Sequence, residues 1–346
     1  MSIEALLQEY PRITLTRTPT PLDNLKYLSQ ELGVNLYLKR DDLTDMTLGG
    51  DKPRKLEYEI ARAQAQGADM LITCGSSQSN HARLTTASAR RVGLDCAVVL
   101  SRDAYEAVQG NLLTVRLMGA DIHIVDTENH WDLEAHVFRI CDELRAAGRK
   151  PYYIPVSGTT PHSCLGYVKA GLETLTQLEA ENIKLDAVYL PFGTGGIFAG
   201  MLYALRAKGV DCPFVGVSVN RPAGQCHENL AKWWEGIAEL LPLDSMPDKG
   251  SFELYDDFIG LEYGDPTEAC LDAIMKVGQT EGVLLDPVYS GKVMSGFLSH
   301  WENGRWASDA SPNTNILILH SGGIPALFAY HEAIKNHLEK RDRLGD

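Results

Sequence analysis

Short, nearly all-apolar runs recur along the chain at 35–40 (NLYLKR), 70–75 (MLITCG), 96–101 (CAVVLS), 121–126 (DIHIVD), 152–158 (YYIPVSG), 187–193 (AVYLPFG), 214–219 (FVGVSV), 283–288 (VLLDPV) and 315–323 (NILILHSGG). Each reads as a strand. Between them, 55–68 (KLEYEIARAQAQGA) and 81–93 (HARLTTASARRVG) carry apolar residues at helical spacing and run into a terminal glycine stop. Strands alternating with helices predict an α/β fold, and strands apolar on both faces predict mainly parallel sheets covered by helices. The stretch 233–259 is irregular and acidic, which predicts an insertion or lid-like segment. No repeat or low-complexity tract interrupts the pattern.

A chain of 346 residues, 44% hydrophobic and 23% charged, has material for a large core and about two domains. With 32 Lys+Arg against 46 Asp+Glu, the net charge of -14 disfavours nucleic acid and anionic membranes as partners. An anionic ligand therefore has to be held locally. The cysteines at 74, 96, 141, 164, 212, 226 and 270 show no metal-ligand spacing and read as reduced thiols in a cytosol. No metal is expected. The N-terminus lacks the apolar core of a signal peptide and nothing approaches a membrane span, so a cytoplasmic protein is expected.

In open α/β sheets ligands sit beyond the carboxyl ends of strands, a rule that here selects four loops. In LGGDKPRKLEYEI (48–60), Gly49 and Gly50 permit close backbone approach before Asp51 and Lys52, with a helix expected from about Arg54. Lys52 could form an imine there, or the segment could be a turn bearing a solvated basic cluster. In GSSQSNHARL (75–84), Ser76, Ser77, Gln78, Ser79, Asn80 and His81 crowd a helix N-terminus, as an anion site or as a generous cap. In PFGTGG, Gly193, Thr194, Gly195 and Gly196 let backbone N–H groups converge on a phosphate, or form a plain tight turn. The loop is neither a Walker sequence nor a dinucleotide fingerprint. In LLDPVYSGKVM and LILHSGGIPALFAY, Ser290 and Ser321 stand beside glycine, suited to a pyridine nitrogen or simply to helix entry.

Together and in this order, the loops resemble those of the fold-type II (tryptophan synthase β-like) pyridoxal-phosphate enzymes, specifically the D-cysteine desulfhydrase and 1-aminocyclopropane-1-carboxylate deaminase family. TPTPLDNL (18–25), LYLKRDDLT (36–44), GGDKPRKLEY (49–58), QSNHAR (78–83), LLDPVYSGK (284–292) and HSGGIPALFAY (320–330) carry the resemblance. It implies pyridoxal 5'-phosphate as cofactor, held as an imine on Lys52, with Asn80 on its phenolic oxygen. Gly193, Thr194, Gly195 and Gly196 would hold the phosphate, and Ser290 or Ser321 would face the pyridine nitrogen. Catalytic roles fall to Lys52, Ser79, Tyr263 and Tyr289, and substrate contacts to Ser77, Gln78, Ser79, Asn80 and His81. Two domains are implied, a large cofactor-binding one from 1–50 and 160–346 and a small one from 51–159, in a homodimer.

The implied reaction is α,β-elimination from a small sulfur-containing amino acid: D-cysteine to pyruvate, sulfide and ammonia, or L-cysteate to pyruvate, sulfite and ammonia. Deamination of 1-aminocyclopropane-1-carboxylate fits less well, because those enzymes resemble DPVYEGK and QSNQ where this chain has Ser290 and His81. Racemase or dehydratase chemistry is a further alternative, as is a non-catalytic small-molecule binding protein. One departure stands out: the family usually has Asn before the imine lysine, and here Asp51 takes that place. Its carboxylate would favour the ammonium form of Lys52, unless it caps the helix instead.

Overall fold

A computed structural model describes residues 1–102, 107–127, 133–245, 247–306 and 313–344. Among these residues ten strands form two sheets. In chain order they are β1 (Leu22–Asn24), β2 (Asn35–Arg40), β3 (Met70–Ser76), β4 (Asp95–Ser101), β5 (Asp121–Val125), β6 (Pro151–Tyr153), β7 (Ala187–Phe192), β8 (Phe214–Ser218), β9 (Phe252–Tyr255) and β10 (Asn315–His320). The larger sheet has the order β1-β2-β10-β7-β8-β9 and the smaller β5-β4-β3-β6. Every pairing is parallel except that of the short edge strand β1 with β2.

The inner strands are apolar on both faces because both faces are covered. Residues of β7 alternate between two cores, Val188 and Leu190 packing on one side of the large sheet and Ala187 and Tyr189 on the other. The small sheet repeats this, with Leu71 on one face and Met70 and Ile72 on the other. Helix Lys52–Ala65 packs against both helix Asn80–Arg91, which follows β3 of the small sheet, and helix Pro161–Ala180, which flanks the large one. It thus bridges the two sheets. Among the described residues no helix is long and apolar enough to cross a membrane.

Three expectations need correction. Residues 283–288 form no strand; Pro287 has no N–H to donate, and the Asp286 carboxylate accepts the N–H groups of Val288, Tyr289 and Ser290 at 3.0, 2.9 and 2.7 Å. Their apolarity reflects burial of Leu285, Pro287 and Val288, with Val283 packed against the same core. The segment 233–259 is no lid at its start, since Trp233 and Trp234 sit in helix Ala223–Leu240 with their rings buried in the core, and β9 follows. Finally, the strand expected over 152–158 stops at Tyr153, and Ser157 adopts φ +60° in a 3-10 turn.

Candidate active site

After β2 the chain reverses through Asp45, Thr47, Leu48, Gly49 and Gly50, all with positive φ. Gly49 is required by contact as well as conformation, because a Cβ there would lie 1.5 Å from the Asp42 carbonyl oxygen. Thr44 closes the loop, its hydroxyl donating to the Gly50 carbonyl at 2.7 Å. The Asp51 N–H then donates to the Ser321 carbonyl at 3.0 Å, fastening the loop to the end of β10. Lys52 is the first residue of its helix, earlier than the expected start near Arg54, with Pro53 in the first turn. Its Nζ lies 2.6 Å from Asp51 Oδ2, and both side chains are buried. Asp51 makes no capping bond to the helix.

The neighbouring basic residues separate by helical geometry. Arg54 turns away and forks onto Asp41 and Glu173 at 2.8–3.0 Å, in a buried network that also holds Lys39. Lys55, one turn from Lys52, faces the same side as Lys52. It donates to the Ser157 carbonyl at 2.9 Å and to Thr159 Oγ1 at 2.6 Å, and burial together with the Lys52 ammonium brings its pKa down to about 8. A solvated basic cluster was one of the two readings the sequence left open for this segment, and the spacing of three between Lys52 and Lys55 was the signal against it. Lys52 and Lys55 border one narrow cavity with Gly193, Gly195, Gly196 and Tyr289.

The glycine loop fits a phosphate by shape. Gly195 has φ +91° and a Cβ on it would meet the Phe192 ring at 2.6 Å. Gly196 opens helix Gly196–Ala207, and a Cβ there would stand 2.8 Å from Thr159 and 3.3 Å from Lys55 Nζ. Thr194 Oγ1 lies 2.6 Å from Thr159 Oγ1. A cradle with no side chains, a helix N-terminus and a buried ammonium is the donor set an anion requires.

The polar run after β3 divides into two directions. Ser79 caps helix Asn80–Arg91 by accepting the Ala82 N–H at 3.1 Å, and Ser76, Ser79 and His81 border a second cavity shared with Lys52, Tyr263 and Tyr289. Among the described residues the buried His81 has no hydrogen-bond partner at Nε2, and desolvation plus the Lys52 and Lys55 charges hold its pKa well below the ordinary value. Gln78 and Asn80 turn instead to helix Gly110–Leu117. Gln78 Oε1 accepts the Asn111 N–H at 2.9 Å and Asn80 Oδ1 accepts from Asn111 Nδ2 at 2.9 Å. Ser77 is buried beside them.

Tyr289 closes the cavity, its ring centre 5.7 Å from Lys52 Nζ and its hydroxyl 2.7 Å from that of Tyr263. Burial, and then Tyr263, push the Tyr289 pKa well up, so it stays a phenol. Behind it, His320 Nε2 donates to the Leu284 carbonyl at 2.9 Å while Nδ1 accepts the Gly322 N–H at 3.2 Å. Nδ1 therefore offers a lone pair to the Ser290 hydroxyl, 3.0 Å away, and Ser290 spends its proton there. Ser321, 3.5 Å from Ser290, borders the Lys52 cavity, whereas Ser290 lies behind it.

The family model "Pyridoxal-phosphate dependent enzyme" matches residues 13–322. A D-cysteine desulfhydrase of Serratia proteamaculans is 37% identical over 339 residues, 96% of this chain and 100% of that protein. A putative 1-aminocyclopropane-1-carboxylate deaminase of Pyrococcus abyssi is 35% identical over 330 residues, 95% and 97% of the two chains. Among solved structures, an ACC deaminase homologue superposes with a TM-score of 0.88 at 36% identity, covering 97% of this chain and 99% of that one. An L-serine ammonia-lyase from Rhizomucor miehei shares the fold, with a TM-score of 0.70 at 19% identity over 93% and 98% of the chains.

Proposed function

Because the chain belongs to the pyridoxal-phosphate dependent enzyme family, with the two-sheet α/β architecture of fold type II, we propose that it is a carbon–sulfur lyase acting on D-cysteine or L-cysteate. The observation that carries this reading is the buried Lys52 amine, paired with Asp51 at 2.6 Å and faced by Tyr289, in the cavity that the glycine loop borders. Relatives named D-cysteine desulfhydrase, matched over nearly their whole length, support the substrate class.

The cofactor is pyridoxal 5'-phosphate, which when bound supplies an aldehyde carbon for attachment and a ring that takes up the electron pair left at the substrate α-carbon. Lys52 would anchor it. Gly193, Thr194, Gly195, Gly196 and Lys55 would hold the phosphate, the Asn80 amide would serve the phenolic oxygen, and Ser321 would serve the ring nitrogen with Ser290 supporting it. The Ser79 hydroxyl, whose oxygen already accepts from Ala82, keeps its proton for the substrate carboxylate. Ser77 and Gln78 shape that rim and His81 offers its neutral imidazole to it.

The Lys52 amine removes the α-proton, and the adjacent Asp51 carboxylate holds the resulting ammonium. The Tyr289 and Tyr263 phenols donate toward the departing sulfur. One water is consumed as the three-carbon fragment becomes pyruvate and ammonia, with sulfide from D-cysteine or sulfite from L-cysteate. Incubation with D-cysteine, L-cysteate, D-serine and 1-aminocyclopropane-1-carboxylate, assayed for 2-oxo acid, tests the reading. Turnover of one of the two sulfur substrates well above the others is expected; preference for 1-aminocyclopropane-1-carboxylate would replace it with deamination.

The same reading assigns residues 1–50 with 160–346 to a large cofactor-binding domain and 51–159 to a small one. It assigns a homodimer, supported by an apolar cleft of about 590 Å³ where Leu43, Leu48, Leu113 and Phe328 are 47, 61, 41 and 69% exposed. A cytoplasmic location agrees with seven unpaired cysteines.

A further inference from the structure

We propose that Arg83 and Asn111 are positioning residues that fix the orientation of the Asn80 amide, so that Asn80 can offer only N–H donors to the anionic ring oxygen of the cofactor. The inference rests on the pyridoxal-phosphate reading above.

A guanidinium has five donors and no acceptor. Arg83 is completely buried, and its Nε lies 2.6 Å from the Asn111 side chain. The atom it meets must therefore be the Asn111 carbonyl oxygen. That places Asn111 Nδ2 on the opposite edge, where its two protons go to the Gln78 carbonyl at 2.7 Å and to Asn80 at 2.9 Å. An NH2 group only donates, so Asn80 must in turn present Oδ1 to it. Asn80 Nδ2 is left as the outward edge, carrying two donors. Reversing either amide would set N–H against N–H in a buried place, where an unmet donor costs about 1–3 kcal/mol. Amide orientation is ordinarily a choice made from surroundings; here it follows from the arginine.

Charge points the same way. Among the described residues Arg83 has no carboxylate in its hydrogen-bonding shell: Nη2 donates to the Gly49 carbonyl at 3.1 Å and Nη1 to that of Thr47. Desolvation brings its pKa down to about 10, opposed by the Asp51 charge. A buried cation without an ion pair, relayed through two aligned amides, favours negative charge at the far end. The same guanidinium holds the left-handed turn that leads to Lys52, so the amine and the amide are set by one side chain.

The test uses the protein reconstituted with pyridoxal 5'-phosphate and reads the ratio of near-ultraviolet to visible absorbance, which reports whether the phenolic oxygen carries a proton. Asn111→Asp keeps the acceptor for Arg83 but loses the NH2, so Asn80 must reverse. Asn111→Ser removes the amide without adding charge, and decides the matter if the Asp variant does not fold. Both variants should raise the near-ultraviolet share by about tenfold, as should Asn80→Ala, the size expected from one lost charge-assisted hydrogen bond. A purely structural role would lower the melting temperature and leave the ratio alone. If Asn80→Ala moves the ratio and neither Asn111 variant does, the relay is overturned while the cofactor reading stands. If Asn80→Ala leaves the ratio unchanged, the contact between Asn80 and the cofactor falls, and the relay with it.

Discussion

Asp51 accepts a hydrogen bond from the amine of its own chain neighbour, Lys52, at 2.6 Å, with both side chains out of water. No cap bond competes for the carboxylate, so the pairing is with the chemistry and not with the helix. Asp51→Asn removes the charge that pairs with the Lys52 amine and keeps the shape. With the carboxylate taking part in the proton chemistry, kcat should fall by about tenfold or more while the melting temperature stays near that of the wild type. A kcat equal to the wild type would show that the carboxylate has no part in that chemistry.

Lys52→Ala should abolish 2-oxo acid formation and the visible absorbance of the reconstituted protein. Borohydride treatment of the wild type should leave cofactor mass on the peptide containing Lys52. Mass on any other lysine would move the anchor elsewhere.

Gly195→Asp combines φ +91°, a Cβ within 2.6 Å of the Phe192 ring and a carboxylate against the phosphate. Cofactor Kd should rise by at least about a hundredfold, from like-charge repulsion and lost amide donors together. Equal binding by isothermal titration would remove the glycine loop from the phosphate site.

The two serines should separate. Ser321→Ala deletes the hydroxyl beside the cavity and should change the bound cofactor's spectrum. Ser290→Ala deletes one whose proton already goes to His320, and should cost about 1 kcal/mol of stability with a smaller spectral change. The reverse ranking in absorbance and melting experiments would exchange their roles.

His81 gives a stability prediction with a definite sign. Its folded pKa lies well below the model-peptide 6.5, so below that pH the unfolded chain binds a proton that the folded one refuses. Stability must fall as pH drops through 6.5, by up to about 1.4 kcal/mol per pH unit for this group. His81→Gln should flatten the slope of unfolding free energy between pH 6.5 and 5 by about one proton. An unaltered slope would mean that His81 is protonated in the fold.

The sheets were legible because burial on both faces writes itself as continuous apolar runs, as in β2, β7 and β10. The same signal misled at 283–288, where Leu285 and Val288 are buried from a loop whose N–H groups are taken by Asp286. Trp233 and Trp234 were obscured by the acidic residues around them, which face solvent from the same helix. At the site, loops at strand ends pointed to Lys52, the glycine turn and the serine pair, since backbone position follows from topology. Partners did not. Lys55 became a buried cation only through Ser157 and Thr159, about a hundred residues away, and Asn111 met Asn80 across two helices that no local spacing relates.

The seven cysteines carry a last consequence. All are buried, and desolvation raises every one, to about 11 at Cys74, Cys96 and Cys212 and about 12 at Cys164. Thiolate is the form that attacks polysulfides and exchanges with disulfides. All seven are therefore closed to that exchange while the chain is folded, and thiol reagents gain access to the cores only when it opens.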